Sequence, residues 1–276
     1  MFFNKINLRV AMAAGLLLLM SACSKDEDDD KQINSNNPLS EYVLLGEEST
    51  ANASVRLYAS EDAYVGYNEI AVQVFQPGTD NQLRAVSIQL LPMMDMGMMK
   101  HSAPFENPTY NESLGAFSGS CTFIMPSGQM GSWTLALLLD NEGVRDTLTF
   151  PINVVPKAEA RLISFESELD SSKIFVALRA PMGPEIGANS FELMIYERET
   201  MMAFPAVENL SVEITPEMPT MGHGSPNNVN PIHMENGHYV GEVNFTMSGY
   251  WKVHFMLKDS SGQMVKSDGY FDITFQ

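Results

Sequence analysis

The sequence predicts an all-β protein made of two tandem β-sandwiches, and three observations carry that prediction. Short stretches alternate apolar and polar residues, turns rich in Gly, Asn and Asp separate them, and the whole pattern runs twice along the chain. No segment sustains a helical apolar period, so no long helix is expected. The clearest strand is Trp251-Lys252-Val253-His254-Phe255-Met256-Leu257. Its Trp, Val, Phe and Leu face inward, while Lys, His and Met face outward.

The repeat rests on anchors in one shared order. Tyr64-Val65-Gly66-Tyr67-Asn68 leads into the alternating Ile70-Ala71-Val72-Gln73-Val74, as Ile186-Gly187-Ala188-Asn189 leads into Phe191-Glu192-Leu193-Met194-Ile195. Residues 86–92 match 210–216, and a Met-rich loop follows each. Next come Phe117-Ser118-Gly119 with Tyr239-Val240-Gly241, Phe123-Ile124-Met125 with Phe245-Thr246-Met247, and Gly131-Ser132-Trp133 with Gly249-Tyr250-Trp251. Each copy closes with an Asp-led turn, at Asp140 and at Asp259, and a last strand. Residues 41–157 and 158–276 are therefore the expected domains, each an immunoglobulin-like sandwich in architecture.

The only cysteines are Cys23 and Cys121, so no disulfide holds either core. Each copy carries a full strand set and is expected to fold by itself when the chain is cut near residues 157–160. Cys121 aligns with Val243 and reads as a buried apolar residue. Met125, Met247, Trp133 and Trp251 share an inward phase and read as core.

The N-terminus reads as a targeting segment. Lys5 and Arg9 form a basic region, and the apolar stretch 10–20 is too short for a permanent membrane span. Leu19-Met20-Ser21-Ala22-Cys23 resembles a bacterial lipobox, with Met20 where Leu is more usual. The resemblance implies that residues 1–22 are a removed signal peptide and that Cys23 carries a lipid anchor to the membrane. The alternative is a plain secretory leader with an incidental Cys.

Residues 23–40 read as the lipidated Cys and a disordered tether, because Asp26-Glu27-Asp28-Asp29-Asp30 is too densely charged to fold. As a flexible coil the tether spans roughly 20–25 Å. The acidic run resembles the signal that sends some lipoproteins of one Gram-negative group to the outer face of the outer membrane; a spacer with no sorting role is the alternative. The expected location is the outer membrane, exposed at the cell surface, with a periplasm-facing position as the alternative.

A formal net charge of −18 sets nucleic acid aside as a partner. No hydrolase elbow, zinc-protease helix, phosphate loop or dinucleotide fingerprint occurs, so no enzyme is expected. The chemistry concentrates instead in methionine, of which there are 20. One loop reads Pro92-Met93-Met94-Asp95-Met96-Gly97-Met98-Met99-Lys100-His101, and the equivalent loop reads Pro216-Glu217-Met218-Pro219-Thr220-Met221-Gly222-His223-Gly224. Both share Met-x-x-Met-Gly, pairing Met93 and Met96 with Met218 and Met221. His233, Met234 and His238 follow in the second copy, which holds four of the five histidines.

Thioether and imidazole together suit a soft or borderline cation: thioethers select monovalent copper, and imidazole holds copper in either oxidation state. Zinc makes little use of thioethers, and calcium and magnesium take oxygen. Two other readings stand beside this one: a Met-rich contact surface for a partner, and ordinary packing by an adaptable side chain.

The motifs Met218-Pro219-Thr220-Met221-Gly222-His223-Gly224, Gly237-His238-Tyr239-Val240-Gly241, Phe245, Met247, Gly249 and Trp251 resemble the YtkA-like domain. The resemblance implies a small extracytoplasmic β-sandwich associated with copper handling beside heavy-metal transport, and so a metal transporter or an outer-membrane receptor as partner. The expected ligands are Met218, Met221 and His223, completed from His233, Met234 and His238. The first copy, with Met93, Met96, Met98 and His101, is expected to bind more weakly, since Met98 stands where the alignment puts His223. The rival function is a non-enzymatic, adhesin-like module whose loops hold a protein or glycan.

The anchor is directly testable. Cys23→Ser is expected to move the protein from the membrane to the soluble fraction, because the acyl chains supply the hydrophobic attachment. Membrane fractionation unchanged from wild type refutes the lipobox reading.

Overall fold

The computed structural model describes residues 38–276; the leader, Cys23 and the acidic run of the tether lie outside the described residues. The described chain is all strand and turn. The first nine strands are β1 (Val43–Ser49), β2 (Ser54–Ala59), β3 (Gly66–Phe75), β4 (Ser87–Asp95), β5 (Lys100–His101), β6 (Phe105–Asn111), β7 (Ala116–Phe123), β8 (Ser132–Asn141) and β9 (Val144–Ile152). They form a five-stranded sheet, β1-β2-β3-β7-β6, facing a four-stranded sheet, β5-β4-β8-β9.

The next nine are β10 (Leu162–Glu166), β11 (Lys173–Ala180), β12 (Gly187–Arg198), β13 (Ser211–Met218), β14 (His223–Gly224), β15 (Val229–Glu235), β16 (His238–Phe245), β17 (Gly249–Lys258) and β18 (Met264–Phe275). Their sheets, β10-β11-β12-β16-β15 and β14-β13-β17-β18, repeat the first topology strand for strand. The fold is thus two immunoglobulin-like β-sandwiches in tandem, as the alternation and the repeat predict.

Alternation builds each core. In β17, Trp251, Val253, Phe255 and Leu257 are all buried, with half-buried Lys252, His254 and Met256 between them. In β8, Trp133, Leu135, Leu137 and Leu139 do the same.

Two asparagine devices recur. Asn68 accepts from Tyr64 N and donates to the Tyr64 and Gly66 carbonyls; Asn189 does likewise with Glu185 and Gly187. The glycines there have φ of 138° and 109°, a region that strains any residue with a Cβ. Asn107 and Asn230 reach from β6 and β15 to accept from Leu90 N and Ile214 N, each at 2.9 Å. They thereby satisfy the open edge of the facing sheet.

Cys121 pairs across from Asn68 as Val243 does from Asn189, confirming their alignment. It is fully buried, and burial pushes its thiol well above the ordinary range, so it packs as an apolar residue. Met247 departs from expectation. It lies just past the end of β16 and is 38% exposed, so it is not core, while Met125 packs at the edge of its core.

β11 breaks the alternation: Ile174, Phe175, Val176, Ala177 and Leu178 are all buried. The reason is that both its faces are covered. Ile174, Val176 and Leu178 face their own core, while Phe175 and Ala177, with Met194 and Tyr196 of β12, pack against Tyr67 and Ile124 of the first sandwich. Cutting the chain at residues 157–160 would therefore bare an apolar face on each fragment.

Arg179 crosses the same junction. It bonds Glu69 of the first sandwich at 2.9 Å and Glu192 of the second, and lies 5.5 Å over the Tyr67 ring. Glu192 also faces His238 Nε2 at 2.9 Å. Burial alone would raise the Glu192 carboxyl, but Ser190, His238 and Arg179 together hold it below its ordinary value of 4.5.

A depressed carboxylate stabilises the fold above its unfolded pKa and loses that contribution as pH falls through the folded one. Acidification from pH about 5 to about 3 is therefore expected to lower the urea midpoint. Glu192→Gln should flatten that slope and cost about 0.5 kcal/mol at neutral pH, the order for a partly exposed pair. An unchanged slope in the variant would show that other carboxylates dominate.

Candidate metal centre

Each sandwich places a histidine over a buried tryptophan at one end of its smaller sheet. The local cause is a hairpin. β4 turns back into β5 so that Met94 pairs with His101, and β13 turns back into β14 so that Met218 pairs with His223. Gly97 and Gly222, with φ of 81° and 66°, allow the reversals. In the first loop Asp95 accepts from Gly97 N and pairs with Lys100 at 2.7 Å. The Lys100 bond, then the Gly97 bond, hold its carboxyl below the usual range.

The hairpins put equivalent groups in equivalent places. His101 meets the Trp133 ring edge-on at 5.3 Å, and His223 meets Trp251 at 5.9 Å. The buried indole N–H of Trp133 donates to the Met125 carbonyl at 2.8 Å, and that of Trp251 to the Met247 carbonyl at 3.0 Å. Gly131 and Gly249 leave room for the tips of Met94 and Met218: a Cβ there would lie 3.1 and 3.2 Å from the methionine Cε atoms. Both copies therefore gather a core methionine, a histidine and a tryptophan, with the backbone of a second methionine on the indole.

The first copy is the more closed of the two. His101 is buried, and its Nδ1 lies 2.7 Å from the Ser102 carbonyl. A carbonyl only accepts, so Nδ1 carries the proton. In the neutral ring Nε2 then presents a lone pair, and 3.1 Å away stands the Met125 Sδ. A thioether offers only lone pairs, so the neutral ring sets two potential metal donors side by side there. In the second copy the same Nδ1 bond runs from His223 to the Gly224 carbonyl at 2.9 Å, on a half-buried ring.

The sequence-predicted residues divide accordingly. His101, Met218 and His223 take part. Met218 is buried in its core, and its counterpart by strand register is Met94, not Met93, which sits half-buried in the opposite phase of β4. Likewise the counterpart of His223 is His101 rather than Met98, so the first copy does possess the histidine. Met96 packs partly against the core, whereas Met98 and Met221 project from the loop tips, Met98 fully exposed.

His233, Met234 and His238 lie at the far end of the sandwich. His238 opens β16 and Phe245, the neighbour of Trp251 at 5.4 Å, closes it, roughly 23 Å along the strand. His238 is engaged by Glu192, Met234 is exposed, and His233 lies on Tyr239 with its Nε2 buried and unbonded. The structure does not bring these three to the Met218–His223 hairpin.

Sequence reasoning missed Met94 and set Met125 and Met247 aside as core. The signal was present, because the register of residues 86–92 against 210–216, carried two residues further, pairs Met94 with Met218. Among the described residues no three His, Cys, Asp or Glu converge; the donors that converge are thioether and imidazole.

The fold and this site define a tandem immunoglobulin-like module with a Met/His/Trp cluster in each sandwich. The YtkA-like family model matches residues 168–256, within the second sandwich, where the resemblance was read. No curated protein matches the chain.

Among solved structures the chain is similar to FdeC, an Escherichia coli adhesin, at 14% identity and TM-score 0.26. That match covers 83% of this chain and 66% of the adhesin chain, just under two thirds. It is also similar to a tandem of titin immunoglobulin domains, at 10% identity and TM-score 0.20, covering 83% of this chain and 99% of the other. Superpositions this loose carry nothing about function.

The placement predicts a contrast in stability. Met94→Ala is expected to cost about 2–5 kcal/mol by opening a core cavity. Met98→Ala should stay within about 0.5 kcal/mol of wild type. Urea denaturation of the two variants measures both, and equal costs would contradict the register.

Proposed function

We propose that this protein is an extracytoplasmic lipoprotein that binds monovalent copper through paired Met/His sites, one per sandwich, as a chaperone, buffer or transporter accessory. The observation that carries the reading is the 3.1 Å approach of His101 Nε2 to Met125 Sδ, with His101 paired across from Met94. An imidazole nitrogen and a thioether held this close are a donor pair that a soft cation can take. Met94, His101 and Met125 would hold the ion in the first copy, and Met218, His223 and Met247 in the second. The chain's part is to bind and retain the ion, and no catalytic step is assigned. The YtkA-like match in the second sandwich supports the same reading, as does the acidic composition, which favours cations over anions.

The lipobox-like motif and the acidic run support a position at the outer membrane, on the cell surface, or facing the periplasm if the acidic run is only a spacer. The exposed Met98 and Met221 favour a second use of the same loops, as contacts for a metal transporter, a receptor or another partner protein.

The test is a cuprous titration of the soluble chain against a competing chelator. Two sites are expected. Met125→Leu and His101→Ala should each weaken one of them at least tenfold, and His223→Ala the other; Leu keeps the bulk of Met while removing the sulfur. Failure of the wild-type chain to bind copper overturns the reading in favour of the contact surface.

A further inference from the structure

The first-copy site lies beside the second sandwich. Ser102, the residue that sets the His101 tautomer, donates its backbone N–H to the Met201 carbonyl at 2.8 Å. That bond joins the two sandwiches next to the facing His101–Met125 pair. Met201 stands on the turn between β12 and the segment leading to β13. The Thr200 hydroxyl holds this turn by accepting from Met202 N at 3.1 Å and Ala203 N at 3.0 Å. Phe204 then anchors the turn on Phe175 at 5.7 Å, within the apolar cluster of the junction.

Two observations set this turn apart. It carries two adjacent methionines, Met201 and Met202, although the corresponding connection of the first sandwich, residues 76–86, carries none. The two methionines also differ: Met202 is 52% exposed, whereas Met201, pinned at Ser102, is half-buried.

We infer that Met201 supplies a thioether to the first-copy site, so that a soft monovalent cation held by His101 and Met125 is shared between the two sandwiches. This rests on the copper reading above and extends it: the second sandwich completes the site of the first, while its own site at His223 stays open. The two sites then have different tasks. The open one exchanges its ion, and the junction site ties ion retention to the packing of the sandwiches.

Silver(I), a soft monovalent ion with no redox step, is the probe. The soluble two-sandwich chain carries methyl-labelled methionine, and the methyl resonances are followed by NMR through the titration. Met201 and Met125 are expected to shift together at one stoichiometric point, with Met202 unmoved. Met201→Leu should weaken that site at least fivefold and leave the His223 site unchanged. Movement of Met125 without Met201, or of Met202 in its place, overturns the inference and leaves the copper reading intact. No methyl shift and no silver or copper bound overturns both.

Discussion

The indole N–H of a buried tryptophan is the constraint on which both sites depend. Trp133 and Trp251 are among the largest side chains fully enclosed in their cores, yet each carries one donor that must be satisfied. Leaving it unbonded would cost about 1–3 kcal/mol. The acceptor is a backbone carbonyl, that of Met125 or Met247, in the segment leaving the opposing sheet. Satisfying a core donor therefore fixes where a methionine emerges beside the ring. The cross-strand partner, Met94 or Met218, and the histidine of the returning hairpin then converge on the same indole. Soft donors gather there because the packing of an aromatic core brings them there, without a dedicated loop cage.

The copies share this plan and differ in enclosure. In the second, the hairpin is short and the histidine half-open. In the first, Ser102, Ala103 and Pro104 are buried behind His101, and Ser102 is bonded to the neighbouring sandwich. The junction that produces this difference is itself a small core, closed by Arg179 between Glu69 and Glu192. A protein of two like sandwiches with a joined face thus holds one accessible and one sheltered version of one donor set.

Much of this was legible in the chain. The strands, their inward residues, the repeat and the burial of Cys121 follow from period-two alternation and the shared order of anchors, which are properties of neighbouring residues. The equivalence of the two Met-rich loops could also be read there. The one-residue difference between Met93 and Met94 could not be read from spacing in the loop, because the loops differ in length; strand register decides it, and register flips every side chain by face.

What the sequence by itself determined was local and periodic: an all-β tandem, an acidic composition, and loops rich in methionine and histidine. Tertiary structure alone decided which donors meet. It set His101 against Met125, sent His233, Met234 and His238 to the far end of their sheet, and placed Met201 of one sandwich beside Ser102 of the other. The reason is that a site is made of contacts across sheets and across a junction. Those distances are set by how buried faces pack, and no short-range pattern in a chain encodes them.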